Sequence, residues 1–186
     1  MKRLFVAIKI IPDENSLRVY HSLKQALIFD KIRWVDPDNF HITLKFFGNT
    51  TEERIPDISN VVQNTVELFK PLNIELKNAG IFGSSYKPRV IWFGIAENKQ
   101  LTELGINLLN NLNDAGFPKD RQNFVPHLTI GRITKITDKQ LFMKEIEKVK
   151  NVFFQKSKID KVILFESILS THGPTYKVIN SFPLKN

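Results

Sequence analysis

Apolar and polar residues follow one another in short runs that predict a mixed order of strands and helices. Residues 4–11 form an apolar run rich in β-branched residues, and the cluster after it, Pro-Asp-Glu-Asn-Ser, supplies turn and N-cap residues before a helical pattern over 17–29. The same criteria predict strands at 40–47, 71–82, 89–95, 126–133, 158–165 and 176–182 and helices from the turn at 48–53 to about 69, over 99–113 and over 137–148.

The order of these elements decides the fold class. Strand–helix alternation is typical of parallel β/α units, but adjacent strand pairs around Ser85 and around His172 predict hairpins. We therefore expect an α+β fold. No segment has the composition of a flexible linker, and we expect residues 1–186 to form one domain.

Composition narrows the class of protein and of chemistry. The chain has 186 residues, of which 42% are hydrophobic and 25% charged, the ordinary balance of a globular protein. It contains no cysteine, which excludes disulfide scaffolds, Cys-ligated zinc, iron–sulfur clusters and thiol nucleophiles. The chemistry must come from other residues.

The charge balance favours anionic partners. Lys and Arg number 27 against 19 Asp and Glu, a formal net charge of +8. A surplus of fixed cations attracts polyanions, so that nucleic acid, phosphorylated ligands and anionic membranes are the candidate classes. No apolar stretch approaches the roughly 20 residues that cross a bilayer, and we expect a cytoplasmic protein without a membrane partner.

A short motif occurs twice. Phe40-His41-Ile42-Thr43-Leu44 resembles Pro126-His127-Leu128-Thr129-Ile130, and the two His-x-Thr tripeptides lie almost half the chain length apart. Each tripeptide lies near the start of a predicted strand, and a predicted turn and helix follow that strand. A duplicated half-domain would produce this spacing.

Strand geometry gives the motif a chemical interpretation. Because side chains alternate between the two faces of a strand, His41 shares a face with Thr43, and His127 shares one with Thr129. If the apolar faces are buried, both polar pairs face a cleft. Two imidazoles with an ordinary pKa of about 6.5 can act there as acid and base on a phosphodiester, while the Thr hydroxyls hydrogen-bond to the phosphate.

Other interpretations of these residues are weaker. A single His-x-Thr in a strand is common in ordinary sheets, and only the pair in matching context points to function. Zinc would need further ligands, and no His-x-x-x-His or acidic cluster stands beside His41 or His127, so we predict no metal.

Several further residues are candidates for substrate contact. Strict alternation puts Lys45 on the face of His41, whereas it turns Arg132 away from Thr129, so that a role for Arg132 in the cleft requires a bulge. Phe47, Tyr86 and Phe124 have the chemistry to stack on a base, although most of the 15 Phe serve the core.

At these motifs the sequence resembles the two-histidine (2H) phosphoesterase superfamily, and within it the RNA 2′,3′-cyclic phosphodiesterases, formerly called 2′-5′ RNA ligases. The resemblance covers nearly the whole chain. It is carried by residues 4–8, 40–48, 87–92, 124–132, 165–167 and 173–176.

The resemblance implies a bilobal, pseudo-symmetric fold in which two antiparallel sheets flank a central cleft, with helices on the outside and one motif from each interleaved half-lobe. It also implies metal-independent opening of an RNA 3′-terminal 2′,3′-cyclic phosphate to a 2′-phosphate, without a cofactor and with possible reverse 2′-5′ joining. His41 is then the proton donor to the leaving 3′-oxygen, His127 the proton acceptor from water, and Thr43 and Thr129 bind the phosphate.

Two alternatives stay open at this point. The substrate could be a small cyclic nucleotide or an ADP-ribose cyclic phosphate, or the chain could bind RNA ends without turnover. We expect a monomer that acts on RNA 3′ ends.

Overall fold

The computed structural model describes residues 1–84, 86–119, 124–171 and 173–185. Within these ranges the helices are α1 (Glu14–Ala26), α2 (Ile55–Val66), α3 (Lys99–Asp114) and α4 (Lys139–Val149). The strands are β1 (Lys2–Lys9), β2 (Lys31–Trp34), β3 (His41–Thr50), β4 (Leu72–Gly83), β5 (Pro88–Ile95), β6 (His127–Lys135), β7 (Phe153–Ile159), β8 (Lys161–Ser170) and β9 (Gly173–Pro183).

Short polar side chains fix the starts of three helices. The Asp13 carboxylate accepts a hydrogen bond from the Ser16 amide at the start of α1. Asn98 and Asp138 cap α3 and α4 in the same way. Each cap satisfies an amide that the first helical turn leaves without a partner.

All strand pairs are antiparallel, in one sheet with the order β7-β4-β5-β6-β3-β1-β8-β9 and β2 paired with β6. The sheet consists of two halves, one with the five strands β7, β4, β5, β6 and β2 and the other with the four strands β3, β1, β8 and β9. They meet at β3 and β6 through one residue pair, Ile42 with Leu128. The α+β prediction is confirmed, and the two predicted sheets are joined at this seam into one strongly curled sheet.

The two faces of the sheet have different partners. The main core lies between one face and the four helices, and it includes Tyr20, Val62, Leu108 and Phe142 together with inward-facing strand residues. A smaller cluster lies on the opposite face and consists of Phe5, Ala7, Ile163 and Phe165, with Tyr176 packed against it. The helices thus cover the outside, and the second face is left for a cleft.

The seam strands repeat one another residue by residue. The first seven residues of β3 and of β6 have the same order of burial, in which the first, third and seventh are half-buried, the second, fourth and fifth buried, and the sixth exposed. Both strands also have a bulge at the fourth position, because Leu44 is skipped in the pairing with β1 and Ile130 in the pairing with β5. This symmetry supports the hypothesis of a duplicated half-domain.

The predicted strands differ from the observed ones at three points. β3 does not end before Gly48 but bends there, with a φ of 73°, and continues to Thr50. The predicted strand over 158–165 is two strands, β7 and β8, separated at Asp160. The short polar strand β2 was not predicted at all. Ser85 and His172 lie outside the described residues, and the strands that flank each of them pair as hairpins, as predicted.

No helix in the described ranges is both long enough and apolar enough to cross a membrane.

Candidate active site

His41 opens β3, directly after a short 3-10 turn over Pro37–Asn39. Its Nδ1 lies 2.6 Å from the backbone oxygen of Asn39. Because a carbonyl oxygen only accepts, Nδ1 must carry the hydrogen and donate it. The other ring nitrogen, Nε2, is therefore the one that can exchange a proton with a ligand.

His127 opens β6 and repeats this arrangement. Its Nδ1 lies 2.8 Å from the backbone oxygen of Val125, again two residues upstream. The same argument assigns the hydrogen to Nδ1 and leaves Nε2 for a ligand. Each imidazole is thus held in one tautomer by a backbone oxygen of its own strand connection.

The pairing of β3 with β6 brings the two motifs together. Since Ile42 lies opposite Leu128, the antiparallel register places Thr129 across from His41 and Thr43 across from His127. All four polar residues are half-buried. Each histidine therefore faces the threonine of the other motif, and the structure brings together the four residues that the sequence singled out.

Aromatic rings enclose the two histidines to different degrees. The His41 ring packs against Phe5 at 5.1 Å and Tyr176 at 5.2 Å between ring centroids. His127 meets the edge of Phe82 at 4.7 Å. Sequence reasoning did not select these three aromatics, although alternation along β1 puts Phe5 on the same face as Ala7 and Lys9, the partners of Thr43 and His41.

The electrostatic environment of His41 is positive. Burial lowers the pKa of His41 below its ordinary value, against the opposing effect of the Asn39 hydrogen bond, and the charges of Lys9, Arg132 and His127 lower it further. Burial also raises the pKa of Tyr176, and the charges of Arg132 and Arg3 partly offset this effect. A cleft of this kind favours a bound anion, which would in turn favour the protonated imidazole.

The sequence analysis required a bulge for Arg132 to face the cleft, and β6 has one. Trp92 pairs with Thr129 and Ile91 pairs with Gly131, so that Ile130 is skipped and the alternation is reset. Arg132 is exposed and its charge acts on both His41 and Tyr176. The bulge thus returns Arg132 to the cleft.

The same kind of bulge overturns the alternation argument for Lys45. Thr43 pairs with Ala7, but Lys45 pairs with Val6, which belongs to the main core. Lys45 is only 4% exposed, and its Nζ donates to the backbone oxygen of Pro118 at 2.7 Å. Lys45 nevertheless borders the cavity beside His127, so that a substrate contact stays a prediction.

This cavity, called here the His127 cavity, has a volume of about 900 Å³. Large apolar side chains with unusual exposure border it, namely Phe46, Phe82, Ile106 and Val125. Its polar members are Thr43, Lys45, Asn110, Lys119 and His127. A concave, mostly apolar space with a few polar groups is typical of a small-molecule or nucleobase site.

Of the aromatics that the sequence suggested for stacking, Phe124 borders the His127 cavity. Phe47 instead packs on Phe117 against the main core. Tyr86 is 88% exposed, with the Lys139 ammonium 4.4 Å from its ring centroid. In the described part of the chain, no group of three or more His, Asp or Glu side chains is placed to hold a metal ion.

Comparison with known families assigns both halves of the chain. A family model described as LigT like Phosphoesterase matches residues 9–92 and again residues 94–176. The first match contains the His41 motif and the second the His127 motif. The earlier resemblance to 2H phosphoesterases is thereby confirmed.

Individual relatives cover the chain almost completely. An RNA 2′,3′-cyclic phosphodiesterase of Methanocaldococcus jannaschii is 37% identical over 180 residues, 97% of this chain and 99% of the relative. One of Archaeoglobus fulgidus is 31% identical over the same shares.

Solved structures show the same fold. TT0787 of Thermus thermophilus superimposes with a TM-score of 0.81 at 25% identity, covering 98% of both chains. E. coli LigT complexed with 3′-AMP superimposes with a TM-score of 0.77 at 21% identity, covering 100% of this chain and 99% of that one.

Proposed function

The chain belongs to the LigT like phosphoesterase family, and on that premise we propose that it hydrolyses the 2′,3′-cyclic phosphate at RNA 3′ ends to a 2′-phosphate. One observation carries the proposal. Two histidines, each with its Nδ1 hydrogen given to a backbone oxygen, stand across the seam from the threonines of the opposite motif. Relatives with at least 31% identity over nearly the whole chain bear the name RNA 2′,3′-cyclic phosphodiesterase.

The proposed reaction is an in-line displacement at phosphorus. Neutral His127 takes a proton from water through Nε2, and the water oxygen forms a bond to phosphorus. The bond from phosphorus to the 3′-oxygen breaks, and the His41 imidazolium donates its Nε2 proton to that oxygen. The phosphate stays on the 2′-oxygen, and the two histidines end with exchanged protonation states.

The surroundings of His41 fit the role of proton donor when an anion is bound. The lowered pKa makes the imidazolium a stronger acid, and the phosphate charge favours the protonated state on binding. Thr43 and Thr129 donate hydrogen bonds to the non-bridging oxygens. Arg132 adds charge, and Phe5 and Tyr176 form a wall for the terminal nucleoside on the His41 side.

The site is complete within one chain, because both histidines come from the same molecule. We therefore propose that the protein works as a monomer, with residues 1–186 acting as one domain of two interleaved half-lobes. We also propose a cytoplasmic location, since the proposed substrate is RNA.

The deciding experiment uses a short oligoribonucleotide with a 2′,3′-cyclic end in the presence of EDTA. We expect a 2′-phosphate product, and we expect His41→Ala and His127→Ala to abolish most of it. His21→Ala, an exposed histidine on α1, is the matched control and should behave like wild type. Full turnover by both cleft variants would refute the two-histidine mechanism, and tight binding without product would favour an RNA-end binding module.

A second candidate function is 2′-5′ joining of RNA ends, favoured by the size of the His127 cavity. A space of about 900 Å³ beside the proposed base is far larger than one water requires. A 5′-hydroxyl in place of water would lose its proton to His127 and leave a 2′-5′ phosphodiester. Adding a 5′-hydroxyl oligonucleotide in excess tests this: a joined product sensitive to His127→Ala supports it, and unchanged hydrolysis alone contradicts it.

A further inference from the structure

A second groove, called here the lysine groove, is bordered by Lys9, the strand partner of His41. It has a volume of about 440 Å³ and lies where the ends of β1, β7 and β8 meet. Four lysines border it, namely Lys9, Lys156, Lys158 and Lys161. The acidic residues that border it are Asp13 and Asp160, so that the groove carries an excess of positive charge.

The strand register connects this groove to the active site. Lys9 pairs with His41 across β1 and β3, so both side chains are on the cleft face. Ala7 pairs with Ile163 across β1 and β8, and both belong to the cleft cluster. The β1–β8 ladder ends at this pair, and continuing its register by two residues along each strand brings Lys161 to the position opposite Lys9 on that same face. His41, Lys9 and Lys161 thus form a row across three neighbouring strands.

Among the described residues the lysines of this row have no carboxylate partner, although the Lys9 ammonium donates a hydrogen bond to the backbone oxygen of Asp38. In the part of the chain that the structure describes, no carboxylate forms an ion pair with Lys9, Lys158 or Lys161, whereas Lys156 pairs with Glu75 at 3.1 Å. The Asp13 carboxylate is engaged in capping α1. Like charges directly opposite one another on a sheet are destabilising. A polyanion that lies along the row would remove this repulsion.

The proposed reaction indicates which polyanion. If His41 protonates the leaving 3′-oxygen, the terminal ribose is on the His41 side, and the RNA strand that leads to it must leave the cleft there. Neighbouring strands are about 4.8 Å apart, so that the row extends about 10 Å beyond His41. A row of this length can contact the first backbone phosphates upstream of the terminal nucleotide.

We propose that the lysine groove binds the phosphate backbone of single-stranded RNA immediately upstream of the terminal nucleotide. This inference rests on the proposed function and specifies its substrate as a polynucleotide rather than a free cyclic mononucleotide. The backbone is bound by charge alone, so that the groove gives affinity without base preference.

The test compares two substrates that share the same terminal nucleotide, a 2′,3′-cyclic mononucleotide and an eight-residue oligoribonucleotide with the same cyclic end. The variant is Lys158→Ala/Lys161→Ala, and Lys9 is left unchanged because its charge acts on His41. The matched control is Lys144→Ala/Lys148→Ala on α4, which removes the same charge outside the groove.

We expect wild type to prefer the oligonucleotide in kcat/KM, and the groove variant to lose about tenfold on the oligonucleotide with no change on the mononucleotide. The plot of log kcat/KM against log salt concentration should become shallower by about 1.4, since each single-strand phosphate contact contributes about 0.7. The control should match wild type on both substrates. Circular dichroism before the assay shows whether the double variant is folded. If it is unfolded, Lys161→Gln alone takes its place in the comparison.

Equal wild-type activity on both substrates, or an equal loss on both in the variant, would overturn the groove proposal while leaving the proposed reaction intact. If wild type turns over neither of the two substrates, the proposed function itself is refuted.

Discussion

The two halves of the cleft have the same backbone arrangement around the histidine but different side chains surrounding it. In both halves a histidine opens the strand and donates from Nδ1 to the carbonyl two residues upstream, and both strands have a bulge three residues after the histidine. Around His41 the walls are Phe5 and Tyr176 with Lys9 and Arg132 nearby. Beside His127 the walls open into a cavity of about 900 Å³.

This comparison separates two requirements of the proposed chemistry. Proton transfer needs each imidazole in a defined tautomer, and both halves meet that need with the same hydrogen bond. Substrate binding needs asymmetry, because only one side of the phosphorus carries the nucleoside. In the proposed mechanism, the features that both halves share act on the protons and on the phosphate, and the features that differ position the nucleoside.

The largest expected effect is the loss of either imidazole. His41→Ala and His127→Ala should each lower kcat by about 10²–10⁴. The double variant should lose little more than the worse single variant, because acid and base act on one transition state. Single-turnover assays measure this, and a purely additive double loss would show that the two halves act independently.

Substitution of the threonines has a smaller effect and tests the equivalence of the two motifs. Thr43→Val and Thr129→Val should each cost roughly 10- to 100-fold in kcat/KM, since each removes a hydrogen bond to a charged phosphate while keeping the shape of the side chain. Similar losses would confirm that both hydroxyls bind the phosphate. A loss confined to one variant would assign the phosphate to one half of the cleft.

Arg132 and Phe46 occupy the same position in the two strands, and their substitution should separate the halves. Arg132→Ala should lower kcat/KM about tenfold by removing a charge near the phosphate, whereas Phe46→Ala should have a weaker effect. Steady-state kinetics on the cyclic-ended oligonucleotide measure both, and equal losses would contradict the asymmetry of the two walls.

The pH dependence of Arg132→Ala gives an independent measure. If His41 is the acid, kcat/KM of wild type falls as pH rises through the His41 pKa, which lies below its ordinary value of 6.5. Removal of the Arg132 charge raises that pKa, so the alkaline limb of the profile should move to higher pH. A limb that stays in place would show that this limb reports another group.

Substitution of Gly131 should have the smallest effect on activity but should measurably lower the free energy of unfolding. Gly131 occupies the position equivalent to Lys45, and a Cβ there would lie 2.9 Å from Ile32 Cγ2 and 3.3 Å from Trp34 Cε3. Gly131→Ala should therefore destabilise the fold by about 1–3 kcal/mol in urea unfolding, with Thr134→Ala on the same strand as the control. Unchanged stability would show that β2 shifts to make room.

The sequence was sufficient for the four motif residues because period-two alternation holds from His41 to Thr43 and from His127 to Thr129. It failed two residues later, where Leu44 and Ile130 are skipped in the ladders and the assignments of Lys45 and Arg132 to faces are reversed. The β3 bulge has no glycine beside the skipped Leu44, whereas Gly131 directly follows the skipped Ile130 in β6. β8 is buried on both faces from Val162 to Phe165, and this continuous apolar run concealed the separate strand β7.

The seam between the halves has a consequence for the size of the ligand. In a regular ladder the strands stay about 4.8 Å apart, and directly opposed side chains would leave no room for a phosphate between them. β3 and β6 are paired at one position, Ile42 with Leu128, and separate on either side of it. The angle at which the two halves diverge from this pair therefore sets the width of the cleft. That width in turn limits the size of the group that fits between the two imidazoles.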